Sequence, residues 1–237
     1  ANPGPLNVIL LDSLNTPLQV QKIVTQALLA FLRTMPPGTR VAVLNLTYHL
    51  SILQGFTTDR DLLKAAILSK KNFPQLSPVE DAGQDLSHAE DSPCVEAEHM
   101  ASRGQYTLVA IRQLARYLSG LPGRKNLIWF SGSFPLSAGC PGAASQTGIY
   151  DLTAEMHSAI DLLARAHVAI DAIDPRALDN QAPGTSSHQP IEDLTLGMMA
   201  EQTGGTLTYA SNDLAGAVHS AIESGSNFYT LTYTPTN

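Results

Sequence analysis

Residues 7–16 read Asn-Val-Ile-Leu-Leu-Asp-Ser-Leu-Asn-Thr, an apolar run that halts at Asp12 and passes through small polar residues into a helical pattern. Val8 to Leu11 do not alternate with polar residues. A strand of that kind is buried on both faces, as in a parallel sheet covered by helices on each side. The acid therefore falls at the carboxyl end of a central strand, immediately before a helix. Open α/β sheets hold their ligands at that end, in the crevice where the strand order reverses. Oxygen side chains gathered there can hold a divalent cation.

The rest of the chain repeats this alternation. A helix is expected from about Thr16 to Thr34, its apolar positions Val20, Ile23, Val24, Ala27, Leu28, Phe31 and Leu32 following the helical period, closed by Met35-Pro36-Pro37-Gly38. Arg40 to Leu46 and His49 to Gln54 form two extended runs separated by a tight turn. Such a hairpin makes the second run an antiparallel edge strand. Thr58 or Asp59 caps a short helix ending at Leu68. Residues 69–103 show no period and are expected to be irregular, with a helix following from about Tyr106 to Ser119. Asn126 to Phe130 reads as a central strand, with Trp129 and Phe130 in the core. A second irregular stretch, 133–148, leads to a helix at 150–166, a strand at 167–173 ending in Asp174-Pro175, and a helix at 191–202. A short strand at 206–209, a helix at 212–223 and an alternating strand, Asn227–Thr234, complete the series. Alternating strands and helices imply one α/β domain over residues 1–237: a doubly wound, mostly parallel sheet with one antiparallel edge strand and irregular insertions near 69–105 and 133–149.

Composition narrows the partners. The chain has 237 residues, 43% of them hydrophobic, enough for a sizeable core. A net charge of −7 with only 14 Lys+Arg, forming no stripe, argues against nucleic acid. No apolar run approaches the ~20 residues that span a bilayer, so no membrane insertion is expected. The ends, Ala1-Asn2-Pro3-Gly4 and a stop just after a strand, suggest a domain cut from a larger protein. Cys94 and Cys140, both in polar loops, are read either as a disulfide pair or as two unrelated thiols.

Four segments carry a family resemblance: Ile9 to Thr16, Leu121 to Pro135 (Leu-Pro-Gly-Arg-Lys-Asn-Leu-Ile-Trp-Phe-Ser-Gly-Ser-Phe-Pro), Ala200 to Gly205, and Phe228 to Asn237. On these the chain resembles von Willebrand factor type A (vWA) domains, particularly the acidobacterial VWFA-related group. The resemblance implies a doubly wound, Rossmann-like sheet and a metal-ion-dependent adhesion site built from Asp-x-Ser-x-Ser, a distant Thr and a distant Asp. Those oxygen ligands suit Mg²⁺, which accepts a carboxylate from a protein partner. Carried over residue by residue, Asp12 takes the first position, Leu14 stands at the first Ser and Thr16 at the second. Asn15 adds a neutral oxygen nearby. Thr107 is the candidate for the distant Thr, although spacing would also allow Gln105. Ser131 stands where the distant Asp is expected. The site is thus degenerate: losing one carboxylate and one hydroxyl removes charge that would balance a divalent ion, and Mg²⁺ or another divalent cation is left open as a cofactor. The alternative is that Asp12 caps the next helix or accepts backbone N–H bonds. The resemblance also implies an extracytoplasmic location, in a secreted or envelope protein.

Other constellations are weaker. The acidic stretch containing Glu80, Asp81, Asp85, His88, Glu90, Asp91, Glu96, Glu98 and His99 lacks the spacing of a Ca²⁺ loop. Asp171 and Asp174 lie three apart on one strand, hence on opposite faces, and Asp174 is the one placed to reach the ligand end. Seven scattered histidines form no zinc pair. Neither a Gly-x-Ser-x-Gly elbow nor a phosphate-binding glycine loop is present. Three readings remain: a protein-interaction module of adhesion type, a structural domain with a vestigial ligand face, and a metal-dependent hydrolase using Asp12. The first is preferred.

Overall fold

The computed structural model describes residues 4–69, 93–132, 134–138, 150–176, 189–209 and 213–226. In chain order the elements are β1 (Leu6–Asp12), α1 (Leu18–Thr34), β2 (Arg40–Leu46), β3 (Leu50–Thr57), α2 (Arg60–Leu68), α3 (Pro93–Ser119) and β4 (Lys125–Phe130). There follow β5 (Ser137–Ala138), β6 (Tyr150–Asp151), α4 (Thr153–Arg165), β7 (Val168–Asp174), α5 (Gln189–Thr203), β8 (Leu207–Tyr209) and α6 (Leu214–Ser226).

Among the described residues the main sheet has the order β3-β2-β1-β4-β7-β8. All its pairings are parallel except β2 with β3, the expected antiparallel edge hairpin. The chain first builds outward from β1 through β2 to β3, then returns to place β4 on the other side of β1. That reversal puts the switch crevice between β1 and β4.

Strand parity explains the two cores. Val8, Leu10, Leu127, Trp129, Ile170 and Ala172 pack against α3, α4 and α5. Ile9, Leu11, Ile128, Phe130 and Ile173 pack against α1, α2 and α6. Every residue of β1, β4 and β7 is buried, as two covered faces require.

Three expectations need correction. The segment 93–105 is not irregular: α3 begins at Pro93, so Cys94 lies in a helix and not in a loop. The positions it buries there, Ala97, Ala101 and Gly104, keep the helical spacing but are small residues, so they carry little of the apolar signal that marks a helix. The first helix begins at Leu18, after Pro17, and not at Thr16, because Thr16 turns its hydroxyl to another segment instead of capping. From the second irregular stretch β5 pairs antiparallel with β6, so Tyr150 and Asp151 are strand and the helix expected from 150 begins at Thr153. The acidic positions Glu80 to Asp91, Cys140 and hence the choice between a disulfide to Cys94 and two separate thiols, and the closing strand expected at Asn227–Thr234 lie outside the described residues.

Candidate functional site

Asp12 ends β1 with its side chain on the α3 side, the parity it shares with Val8 and Leu10. Leu10 and Leu11 pair with Trp129 and Phe130, so the next residues in register, Asp12 and Ser131, meet across the switch crevice. Trp129 and Ser131 share a parity as well. The sheet alone therefore directs three polar groups to one point.

All are buried, Asp12 being 2% exposed and Ser131 and Trp129 fully covered. The Asp12 carboxylate takes four donors. Its Oδ1 accepts the Asn15 backbone N–H at 3.0 Å. Its Oδ2 accepts the Asn15 side-chain amide at 2.9 Å, Ser131 Oγ at 2.7 Å and Trp129 Nε1 at 3.3 Å. Burial raises the Asp12 pKa above its ordinary 3.8, while the bonds from Asn15, Ser131 and Trp129 pull it back.

Asn15 links this cluster to α3. Its Nδ2 also donates to Thr107 Oγ1 at 2.8 Å, and the Thr107 hydroxyl donates on to the Arg103 carbonyl at 2.8 Å. Arg103 Nε closes the ring by donating to Asn15 Oδ1 at 3.3 Å. The expectation that Asn15 would offer an oxygen to this cluster is thus corrected: its nitrogen faces Asp12, because a carboxylate only accepts, and its oxygen turns to Arg103.

The other expected residues take related places. Thr16 Oγ1 accepts the Gly132 N–H at 3.1 Å, tying the β1–α1 loop to the segment after β4. Gly132 is close-packed there; a Cβ would lie 2.3 Å from the Asn15 carbonyl oxygen. Gln21, on the first turn of α1, donates its amide to the carbonyls of Thr16 at 2.7 Å and Ser13 at 3.3 Å. Leu14 is fully buried in the apolar core beneath the loop. Of the two candidates on α3, Thr107 is buried against Asn15, whereas Gln105 is exposed. Asp174 is not bonded to Asp12. It pairs with Arg176, Nη2 to Oδ2 at 2.8 Å, and Arg176 reaches Gly132. Asp171, on the opposite face, accepts from the Thr206 N–H and hydroxyl.

This donor set does not fit a divalent cation. Asp12 brings the cluster's one carboxylate, and its oxygens are already engaged by four donors. A hard cation at ~2.0–2.6 Å needs those same oxygens with charge to match. Among the described residues no group of three or more His, Cys, Asp or Glu is placed to hold a metal.

Sequence reading missed Arg103 and the polar role of Trp129. Arg103 lies one turn before Thr107, and the i, i+4 spacing would have revealed it had the helix been extended that far. For Trp129 the signal was parity: it points the same way as Asp12, and a buried indole N–H requires an acceptor.

No family model matches the sequence, and no curated protein matches it. Solved structures do. A von Willebrand factor type A structure from Catenulispora acidiphila has a TM-score of 0.53 at 14% identity, covering 94% of this chain and 42% of that one. The vWF domain of the type V pili tip protein Mfa5 from Porphyromonas gingivalis gives 0.52 at 12% identity over 98% of this chain and 99% of that one. The conserved hypothetical protein BatB from Bacteroides thetaiotaomicron gives 0.50 at 12% identity over 93% and 98%. The fold of this chain is vWA-like.

Proposed function

We propose that the chain is a non-enzymatic protein-interaction module of adhesion type, a single vWA-like domain with a degenerate metal-ion-dependent adhesion site. One observation carries this reading. Among the described residues, the one carboxylate in the switch crevice spends its oxygens on four internal donors. A general base or nucleophile must instead present a lone pair to substrate. A hydrolase would also want a second carboxylate beside Asp12, and Asp174 is held by Arg176. What the cluster does provide is a braced platform joining β1, β4 and α3.

The surface next to it suits a protein partner. Tyr48, in the turn just past β2, is 56% exposed, and Tyr106, beside Thr107, is 43% exposed. Their rings meet edge to face at 5.4 Å. Exposed tyrosines are enriched where proteins dock. The pilus-tip setting of Mfa5 supports, by analogy of fold, a place outside the cytoplasm in a larger secreted or envelope protein. Among the described residues no helix is long and apolar enough to cross a membrane.

The test is site-specific photo-crosslinking. A photoreactive residue at Tyr48 or Tyr106 should give discrete protein adducts in an envelope extract of the source organism. The same group at Arg165, exposed at the opposite end of the sheet, should not. Adducts indifferent to position, or hydrolytic turnover abolished by Asp12→Ala, would overturn the reading.

A further inference from the structure

We infer that the Asn15 carboxamide performs the bridging task of a cation, so that this face is assembled without metal. The inference deepens the interaction reading above and rests on it for its biological meaning. Three observations support it. First, a single nitrogen lies 2.9 Å from a carboxylate oxygen of β1 and 2.8 Å from a hydroxyl of α3. A primary amide has two N–H bonds and here spends one on each acceptor. It joins β1 to a helix residue 92 positions along the chain from Asn15, as a small cation would, but carries no net charge to be balanced.

Second, the ring is complete. The Thr107 hydroxyl donates a hydrogen bond to the Arg103 carbonyl, and Arg103 Nε donates to the amide oxygen. Asn15 is therefore held from three sides, with its orientation fixed by donor and acceptor chemistry. Third, the cation and the amide exclude each other. Metal–oxygen bonds of ~2.0–2.6 Å to Asp12 and Thr107 would require the space that Nδ2 fills. Leu14, fully buried, supplies no replacement ligand from the loop.

The consequence is a docking face whose geometry is written into the sequence and is insensitive to chelators. Thermal unfolding of the whole chain in EDTA, and in millimolar Mg²⁺, Mn²⁺ or Ca²⁺, tests this without a partner. The parent chain should melt at the same temperature in every condition. Asn15→Asp replaces the bridging nitrogen with an acidic oxygen. It should melt lower in EDTA and recover by roughly 5–10 °C with a divalent ion ~100-fold above its Kd. Thr107→Val should lower the melting temperature regardless of cation.

A parent chain whose melting rises with divalent ions, with the rise lost in Asp12→Asn, overturns the inference. So does an Asn15→Asp variant that folds and ignores cations. If that variant fails to fold, Mn²⁺ titration of the parent decides, followed by the ion's paramagnetic resonance. Stoichiometric binding lost in Asp12→Asn overturns the inference, and unchanged free-ion signal supports it. Cation-blind melting without crosslinks would sink the interaction reading alone; cation-dependent melting with crosslinks intact would sink only this one.

Discussion

Because burial lifts the Asp12 pKa above 3.8, the folded chain holds a proton that the unfolded chain has released over the interval between the two values. The stabilisation from that proton is complete below 3.8 and is lost as pH rises through the folded pKa. Asp12→Asn lacks the titration. Urea unfolding across the acid range should therefore show the parent's advantage over the variant shrinking as pH rises; a widening advantage would contradict the burial argument. Gly132 allows an independent check. An added methyl would meet the Asn15 carbonyl oxygen at 2.3 Å, and backbone cannot swing aside as a side chain can. Gly132→Ala should cost about 1–3 kcal/mol in urea unfolding, the usual penalty of overpacking. Thr107→Val keeps the shape but leaves an Asn15 N–H without its acceptor, a loss of about 1–3 kcal/mol.

At the scale of elements, α3 is the piece that brings Arg103 and Thr107 to the crevice. Its course is fixed where Gly104 passes the segment before β5. A Cβ at Gly104 would lie 2.7 Å from Leu152 Cδ1 and 3.0 Å from the Pro135 carbonyl oxygen. Glycine inside a helix ordinarily costs ~1 kcal/mol relative to alanine. Here the contact with Pro135 outweighs that gain, since overpacking costs about 1–3 kcal/mol. Gly104→Ala should lower the unfolding midpoint, and a rise would show that the segment yields. The start of α2 behaves more simply. The Asp59 carboxylate accepts the N–H groups of Asp61 and Leu62, at 2.8 Å and 3.2 Å. Asp59→Ala should remove about 1 kcal/mol, the common worth of an N-cap, without disturbing the crevice.

Across the whole molecule, stability is graded from the centre of the sheet outward. Strands β1, β4 and β7 are covered on both faces and paired on both edges, whereas β3 is half-exposed along most of its length. Its pairing with β2 also slips in register between Val41 and Leu44. Such an interrupted edge resists adding a foreign strand. Native-state hydrogen exchange should place the amides of β1 and β4 at the global unfolding limit and those of β3 well below it. The braced cluster belongs to the slow centre. A partner would thus meet a surface that is formed before binding, with little ordering left to oppose association.

The apolar runs of β1, β4 and β7, each ending in a polar residue, were enough to read a doubly wound sheet and to put Asp12 in its crevice. Burial on two faces leaves that mark on any strand, because no alternation is possible. The hairpin of β2 and β3 was legible for the same kind of local reason. The first turns of α3 were not, since the residues they bury, Ala97, Ala101 and Gly104, are too small to mark an apolar period. Nor did the sequence reveal which way Asn15 would turn. An asparagine offers an oxygen and an amide alike, and only the company it keeps selects one. Register set Ser131 and Trp129 against Asp12, and α3 delivered Thr107 and Arg103 from far along the chain. Local order of residues thus determined that an acid would stand in the crevice. Long-range packing decided that neutral donors would surround it, because hydrogen-bond partners are chosen by proximity in space.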